Sequence, residues 1–94
     1  MTPRFRVIST AAFDREFRAI AKGNSQIPGA LEQLVKVLCE DPYNRSRQHN
    51  IKKLAQVNPS DGQWRIRWRD YRLRYDVLGG EVVLHSLRHR KESY

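Results

Sequence analysis

The residues in this sequence that are best suited to binding or catalysis are arginines that alternate with apolar side chains. Residues 64–68 read Trp-Arg-Ile-Arg-Trp, and residues 71–77 read Tyr-Arg-Leu-Arg-Tyr-Asp-Val. Successive side chains of a β-strand point to opposite faces of a sheet, so each segment would present its arginines on one face and its apolar groups on the other. Only Arg69 and Asp70 separate the segments, which predicts a β-hairpin with a two-residue loop.

This hairpin would set the arginines of its two strands directly opposite one another. A two-residue loop places Arg67 opposite Arg72 and Arg65 opposite Arg74. Opposed like charges destabilise a sheet by roughly 0.2–1 kcal/mol per pair, so folding alone gives no reason for them. A guanidinium group donates two parallel hydrogen bonds to phosphate and keeps its charge at neutral pH, so the pattern predicts an anion-binding face. The alternative is a solvated face that carboxylates of the same strands relieve.

Further basic residues lie on both sides of the predicted hairpin. The polar segment 43–62 would form a long loop, and such loops in small domains are usually functional or mobile. Residues 88–94 read Arg-His-Arg-Lys-Glu-Ser-Tyr and could lie beside the arginines or form a frayed basic end. The cations predicted to assist nucleic-acid binding are Arg45, Arg47, Lys52, Lys53, Arg74 and Lys91.

The elements that must position these residues are predicted from apolar periodicity. A β-branched run at residues 5–9 predicts a first strand. Two helices follow, because apolar residues recur three and four positions apart up to Gly23 and again between Pro28 and Asp41. Further strands are predicted at 64–68, 71–78 and 81–88.

The length and the charge of the chain limit which fold and which kind of partner are possible. The 94 residues suit one core, so we predict a single α+β domain over residues 1–94. It would have an N-terminal strand, a two-helix hairpin and then an antiparallel sheet of about three further strands. The formal charge of +8, from 18 Lys and Arg against 10 Asp and Glu, indicates a polyanionic partner, with nucleic acid first.

Several classes of function find no support in the sequence. Cys39 is the single cysteine, which excludes a disulfide framework and suits a reducing cytoplasm. Neither a glycine-rich phosphate loop nor a cluster of metal ligands is visible, so no metal or cofactor is expected. No apolar run approaches membrane-spanning length and no secretory signal is visible, so we expect a cytoplasmic protein without a membrane partner.

Two features of the sequence resemble a known family. One is the order of the predicted elements, and the other is a set of three motifs: QWRIR at residues 63–67, DYRLRY at 70–75 and HRKESY at 89–94. Over nearly the whole chain the sequence resembles the RelE/ParE toxin superfamily of bacterial toxin-antitoxin systems, and within it the RelE-type mRNA endonucleases. The resemblance implies a RelE-like fold and cleavage of mRNA in the ribosomal A site. The ribose 2′-hydroxyl would attack the adjacent phosphate without a metal ion. It also implies a cognate, acidic antitoxin as partner.

The resemblance also implies roles for individual residues. By this resemblance, Arg65 and Arg67 occupy the basic-pair positions, and Arg72 occupies the position of the phosphate clamp. Arg90 occupies the position of the residue that stabilises the leaving group, and Tyr94 is the aromatic residue that orients the substrate. Arginine is a poor general base because its pKa lies above about 12, so we interpret the basic pair as electrostatic stabilisers. The proton acceptor stays open among Tyr94, His89 and Lys53, of which only His89 is an imidazole.

One residue departs from the family pattern at the hairpin. Arg69 stands where the family often has glycine, which accepts the positive φ of a tight hairpin turn more readily. The departure predicts a turn that is longer or strained. A longer turn would shift the register of Arg67 against Arg72.

Two other functions are compatible with the same residues. A ParE-like inhibitor of DNA gyrase would use the scaffold for binding only, and would not need the C-terminal cationic and aromatic residues. An RNA-binding module without catalysis would show steep salt dependence and form no product.

Overall fold

Two helices pack against one face of a five-stranded sheet in the computed structural model of the protein, which describes residues 5–57 and 61–89. In chain order the elements are β1 (Arg6–Ser9), α1 (Ala11–Gly23), α2 (Ile27–Glu40), β2 (Ile51–Lys53), β3 (Trp64–Trp68), β4 (Tyr71–Leu78) and β5 (Glu81–His89). The strands lie in the order β1-β5-β4-β3-β2. The predicted α+β class and the order of strand, two helices and sheet are confirmed.

The sheet differs from the prediction in two respects. It is mixed, because β1 pairs in parallel with β5 while the other neighbouring strands are antiparallel. It also gains β2, which lies within the segment predicted to be a loop. Ile51 lies opposite Ile66, and the Leu54 amide donates to the Gln63 carbonyl at 2.7 Å, which extends the pairing. Three residues are too few to show the two-residue periodicity on which strand prediction depends.

The ends of both helices follow the signals in the sequence. The hydroxyl of Thr10 accepts a hydrogen bond from the backbone amide of Phe13 at 3.1 Å and so caps α1. Helix α1 ends at Gly23, and Pro28 lies in the first turn of α2. The apolar stripes of the helices face the sheet, since Phe13 and Leu38 are buried in the core.

The helices cover the sheet face that alternation assigns to apolar residues. Ile66, Leu73 and Tyr75 are buried, and Trp64 and Trp68 pack against the same core. Since neighbouring residues of a strand point to opposite faces, the arginines between these residues are directed to the face opposite the helices.

The β3–β4 hairpin keeps its two-residue loop despite the arginine. Arg69 adopts φ of 54°, in the left-handed region that favours glycine. Its Nη1 donates to Oε1 of Gln26 at 2.6 Å, and its guanidinium lies 4.8 Å from the ring centroid of Trp68. These two contacts offset the backbone strain, so the turn is strained as predicted but not longer.

The segment after α2 is ordered by one carboxylate. Oδ1 of Asp41 accepts from the Arg45 amide at 2.8 Å, and Oδ2 accepts from the Ser46 hydroxyl at 2.6 Å and from its amide at 3.2 Å. The start of the segment is fixed to the core, because the buried hydroxyl of Tyr75 donates to the Pro42 carbonyl at 2.6 Å. The hydrogen bond from Ser46 is the largest of the effects that lower the pKa of Asp41 from its ordinary value of 3.8.

Replacement of Asp41 by asparagine should destabilise the protein by about 1–2 kcal/mol at pH 7, because asparagine cannot accept all three hydrogen bonds as a carboxylate does. The folded-state pKa of Asp41 is depressed, so the stabilisation is present above the unfolded value of 3.8 and is lost as pH falls through the folded value. Urea unfolding of both proteins between pH 7 and 2 measures this. A difference that stays constant down to pH 2 would contradict the assignment.

Three further observations bear on the classes considered above. No helix within residues 5–57 and 61–89 is long and apolar enough to cross a membrane. The same residues contain no group of three or more His, Cys, Asp or Glu side chains that could hold a metal ion. Cys39 is a free cysteine that lies half-buried in α2.

Candidate nucleic-acid interface

The sheet face opposite the helices carries Arg65 and Arg67 of β3 and Arg72 and Arg74 of β4, and we call it the arginine face. Arg65 lies opposite Arg74, and Arg67 lies opposite Arg72. The register predicted from the two-residue loop is therefore confirmed. Hydrogen-bonded strands lie about 4.8 Å apart, so the guanidinium groups of each pair belong to one continuous patch.

Cations of the flanking strands extend the arginine face on both sides. Lys52 of β2 lies opposite Arg65, and Arg88 of β5 lies opposite Arg72. Two rows of cations therefore cross the sheet, one formed by Lys52, Arg65 and Arg74 and the other by Arg67, Arg72 and Arg88. The outer residues Lys52 and Arg88 are exposed, as is Arg67, whereas the other three are half-buried.

Partial burial strengthens the positive charge at the centre of this face. The Nε atoms of Arg65 and Arg72 are shielded from solvent, while both side chains remain half exposed. Electrostatic attraction is stronger where water is excluded, so these groups should bind an anion more tightly than fully exposed ones. Arg67 is exposed beside them and forms no ion pair with any residue that the structure describes.

Arg74 is held by a neutral acceptor. Its Nε and Nη2 donate to the carbonyl oxygen of Gly62 at 3.1 and 3.0 Å. Gly62 has φ of 83°, and a Cβ at this position would lie 2.9 Å from the Cβ of Arg74. The close approach of this loop to β4 therefore requires glycine. Because a carbonyl has no net charge, the contact orients the guanidinium without cancelling its charge.

Asp76 follows Arg74 by two residues on the same face of β4, yet its hydrogen bonds go to the loop before β3 rather than to the arginines. It is buried, and its Oδ1 accepts from the Gln63 amide at 2.7 Å. Its Oδ2 accepts from the Gly62 amide at 3.3 Å and lies 2.8 Å from Nε2 of His85. The carboxylate thus fixes the loop that holds Arg74.

Arg88 forms an ion pair at the edge of the sheet. Its Nε lies 3.0 Å from Oε2 of Glu16 on α1, and its side chain is 54% exposed. The pairing of β1 with β5 runs only from Glu81 to Leu84, so Arg88 lies beyond the cover of β1. An exposed pair of this kind contributes little to stability and is screened by salt, so Arg88 can exchange its partner for a phosphate.

Two predicted site residues lie on the helix side of the sheet rather than on the arginine face. Lys53 lies opposite Trp64, and its Nζ is 5.7 Å from the centroid of that ring. His89 lies opposite Tyr71, with the two rings edge to face at 5.2 Å. It lines a groove beside α1 together with Leu87. Both residues have the strand parity of the core, so neither side chain lies on the arginine face. Their role as proton acceptors stays a prediction.

The remaining predicted residues do not join the arginine face in the described chain. Arg45 is exposed and its guanidinium lies 5.5 Å from the ring of Tyr43, which contacts Trp64 on the helix side. Arg47 is exposed in the same loop, with φ of 58°. The predicted site residues that lie outside the described residues are Arg90, Lys91 and Tyr94.

The structure adds Arg88 and His85 to the face, and the sequence reasoning missed both as site residues. Alternation through β5 could have identified Arg88, which follows Leu87 of the core. Alternation from Leu84 places His85 on this face, whereas alternation back from Leu87 places it in the core. The register shift between Arg74 and Tyr75 decides between the two, and it has no sequence signal.

Comparison with known proteins places this geometry in context. The family model described as the ParE toxin of the type II toxin-antitoxin system, parDE, matches residues 7–94. A curated relative, Toxin RelE3 of Methanocaldococcus jannaschii, is 23% identical over 78 residues, which cover 82% of this chain and 89% of the relative. Among solved structures, the RelB-RelE antitoxin-toxin complex from Methanococcus jannaschii contains a chain with 21% identity and a TM-score of 0.60, over 93% of this chain and 94% of that chain. That similarity establishes a shared fold.

Proposed function

Since the chain belongs to the ParE toxin family of type II toxin-antitoxin systems, we propose that it inhibits translation by cleaving mRNA on the ribosome. The observation that carries the proposal is the pair of cationic rows across the sheet, with Arg65 and Arg72 at their centres. A protein that only had to fold would gain nothing from opposed arginines. A phosphate backbone would neutralise them, and partial burial would strengthen its binding.

The chemistry that these residues suit is transfer of the phosphate to the neighbouring 2′-oxygen. The 2′-hydroxyl attacks phosphorus, the bond to the 5′-oxygen breaks, and the products carry a 2′,3′-cyclic phosphate and a 5′-hydroxyl. Negative charge develops on the phosphoryl oxygens during this step. Arg65, Arg67 and Arg72 would stabilise it, since fixed donors aimed at developing charge supply much of the catalysis in such reactions. By family resemblance, Arg90 would stabilise the leaving group and Tyr94 would orient the substrate.

We also propose an acidic antitoxin as the partner of this chain. The solved RelB-RelE complex pairs an antitoxin with a toxin of the same fold. The charge of +8 favours an acidic partner, and such a partner would cover the arginine face until it is degraded. Isolation of the chain with the product of an adjacent acidic reading frame would test this pairing.

Mapping of mRNA ends with translating ribosomes tests the proposed activity. We expect new 5′-hydroxyl ends within coding sequence when the purified protein is added, and fewer or none when the same mRNA is free of ribosomes. Intact mRNA at protein concentrations that stop growth would reject the proposal. If the protein binds mRNA with steep salt dependence but never cleaves it, the chain is an RNA-binding module without catalysis.

A ParE-like inhibitor of DNA gyrase is the second candidate, because the matching family model carries the ParE description. This function needs a binding surface but no residues placed for phosphoryl transfer. A supercoiling assay with purified gyrase separates the two. Inhibition of supercoiling together with intact mRNA would favour the gyrase inhibitor.

Two adjacent lysines offer a matched test of which face binds RNA. Lys52 lies on the arginine face and Lys53 on the helix side, and both are exposed. Replacement of Lys52 by alanine should weaken binding of single-stranded RNA and reduce the slope of log K against log salt by about 0.7, the value for one lost phosphate contact. Replacement of Lys53 removes the same charge and should leave the slope unchanged. Equal slopes for the two variants would contradict the proposed face.

A further inference from the structure

A β-bulge in β5 places two successive side chains on the arginine face. Ser86 pairs with Arg74 and Leu84 pairs with Tyr75, so His85 is the extra residue between these pairs. His85 and Ser86 therefore share the face of Arg74. Both side chains thus lie beside the cationic rows, where regular alternation would leave only one of the two residues.

The imidazole of His85 is oriented by a buried carboxylate. Its Nε2 lies 2.8 Å from Oδ2 of Asp76, which is 3% exposed. The carboxylate also accepts from the amides of Gly62 and Gln63. Asp76 accepts from these two amides, and its Oδ2 also holds the imidazole ring through the close contact with Nε2. A neutral imidazole has one ring nitrogen with a lone pair that can accept a proton.

The other ring nitrogen of His85 forms no hydrogen bond with the residues that the structure describes. Within the described part of the chain, His85 is engaged through Nε2 only, and its side chain is 20% exposed. Its Nδ1 is not among the enclosed polar atoms. The ring is thus fixed at one nitrogen and accessible at the other, the arrangement that a general base requires.

The other described candidates for proton transfer lie on the wrong side of the sheet. His89 and Lys53 face the helices, and arginine is a poor base. We propose that His85 accepts the proton of the attacking 2′-hydroxyl and that Asp76 is its positioning residue, an inference that rests on the proposed function. As the 2′-oxygen bonds to phosphorus, its proton moves to Nδ1. The departing 5′-oxygen takes a proton from water, and the resulting hydroxide is neutralised when the imidazolium releases its proton.

Glutamine at position 85 separates proton transfer from positioning. His85→Gln keeps an N–H donor for Asp76 but has no basic nitrogen. We expect its rate of mRNA cleavage with translating ribosomes to fall by about 10²- to 10⁴-fold, with RNA affinity and thermal unfolding close to those of the wild type. His85→Ala should lose activity similarly and regain part of it when free imidazole is added. The matched control is His49→Gln, since His49 lies 3.8 Å from the Asp41 carboxylate in the loop after α2 and should not affect cleavage.

The outcomes distinguish this inference from the proposed function. If wild-type protein cleaves mRNA and His85→Gln cleaves at the same rate, His85 only supports the loop and the inference is overturned. Loss of activity in His85→Gln with equal loss of RNA affinity would also overturn it, because that pattern is structural. Loss of cleavage with normal affinity, together with rescue of His85→Ala by imidazole, supports it. A wild-type protein that leaves mRNA intact overturns the proposed function first.

Discussion

Replacement of Arg72 by alanine is expected to lower the rate of mRNA cleavage on ribosomes by about 10²- to 10³-fold, the usual cost of removing one fixed donor from a developing anion. Arg72 lies at the centre of its row, between Arg67 and Arg88, and its Nε is shielded from solvent. Alternation predicts an exposed side chain, whereas the structure half-buries it. Its removal relieves repulsion within the row, so we expect the free energy of unfolding to change by no more than about 1 kcal/mol.

Two variants control this experiment. Arg15→Ala removes the same charge from an exposed position on α1 and should retain activity. Arg72→Lys keeps the charge but loses the planar fork that binds phosphate bidentately, so its rate should lie between those of the wild type and the alanine variant. An Arg72→Ala protein that folds and cleaves at the wild-type rate would remove the arginine face from the mechanism.

Replacement of Gly62 by alanine should give the largest loss of stability, about 2–5 kcal/mol. The residue has φ of 83°, a conformation that costs an L side chain about 1–2 kcal/mol. The new Cβ would also lie 2.9 Å from the Cβ of Arg74 and 3.2 Å from the amide nitrogen of Tyr75, and such overpacking costs about 1–3 kcal/mol. Urea unfolding measures the loss. Cleavage should fall as well, because the Gly62 carbonyl orients Arg74.

Gly79→Ala is the matched control for backbone strain. Gly79 also has a positive φ, of 60°, but a Cβ there would meet nothing within 4 Å. We therefore expect only the conformational cost, about 1–2 kcal/mol. The difference between the two losses of stability measures the steric cost of adding a Cβ where the loop approaches β4. Equal losses would show that this close approach adds nothing to the destabilisation.

The arginine pairs could be predicted because alternation and loop length together fix a hairpin register. Once Arg69 and Asp70 form the loop, the opposition of Arg67 and Arg72 follows. The strain at Arg69 did not shift the register, because Gln26 holds its side chain. That contact joins residues 43 positions apart in sequence, so it cannot be predicted from the residues around the turn.

The position of His89 on the helix side has a defined physical cause. Regular alternation from Leu84 of the core would place residues 85, 87 and 89 on the arginine face. The bulge at His85 inserts one residue, so Leu87 enters the core and His89 follows it to the helix side. A shift of one residue reverses the side of every residue beyond it. The bulge thus moved His89 away from the arginine face and left His85 on it.

The pairing of β1 with β5 has a consequence for the order of events during synthesis. Among the strands that the structure describes, β1 is synthesised before the others and pairs only with residues 81–84, more than seventy positions later. Closing so long a loop is slow compared with local pairing. Chains interrupted before β5 would carry β1 with an exposed edge and five of the six cations of the two rows. We therefore expect such fragments to be targets for proteases rather than active molecules.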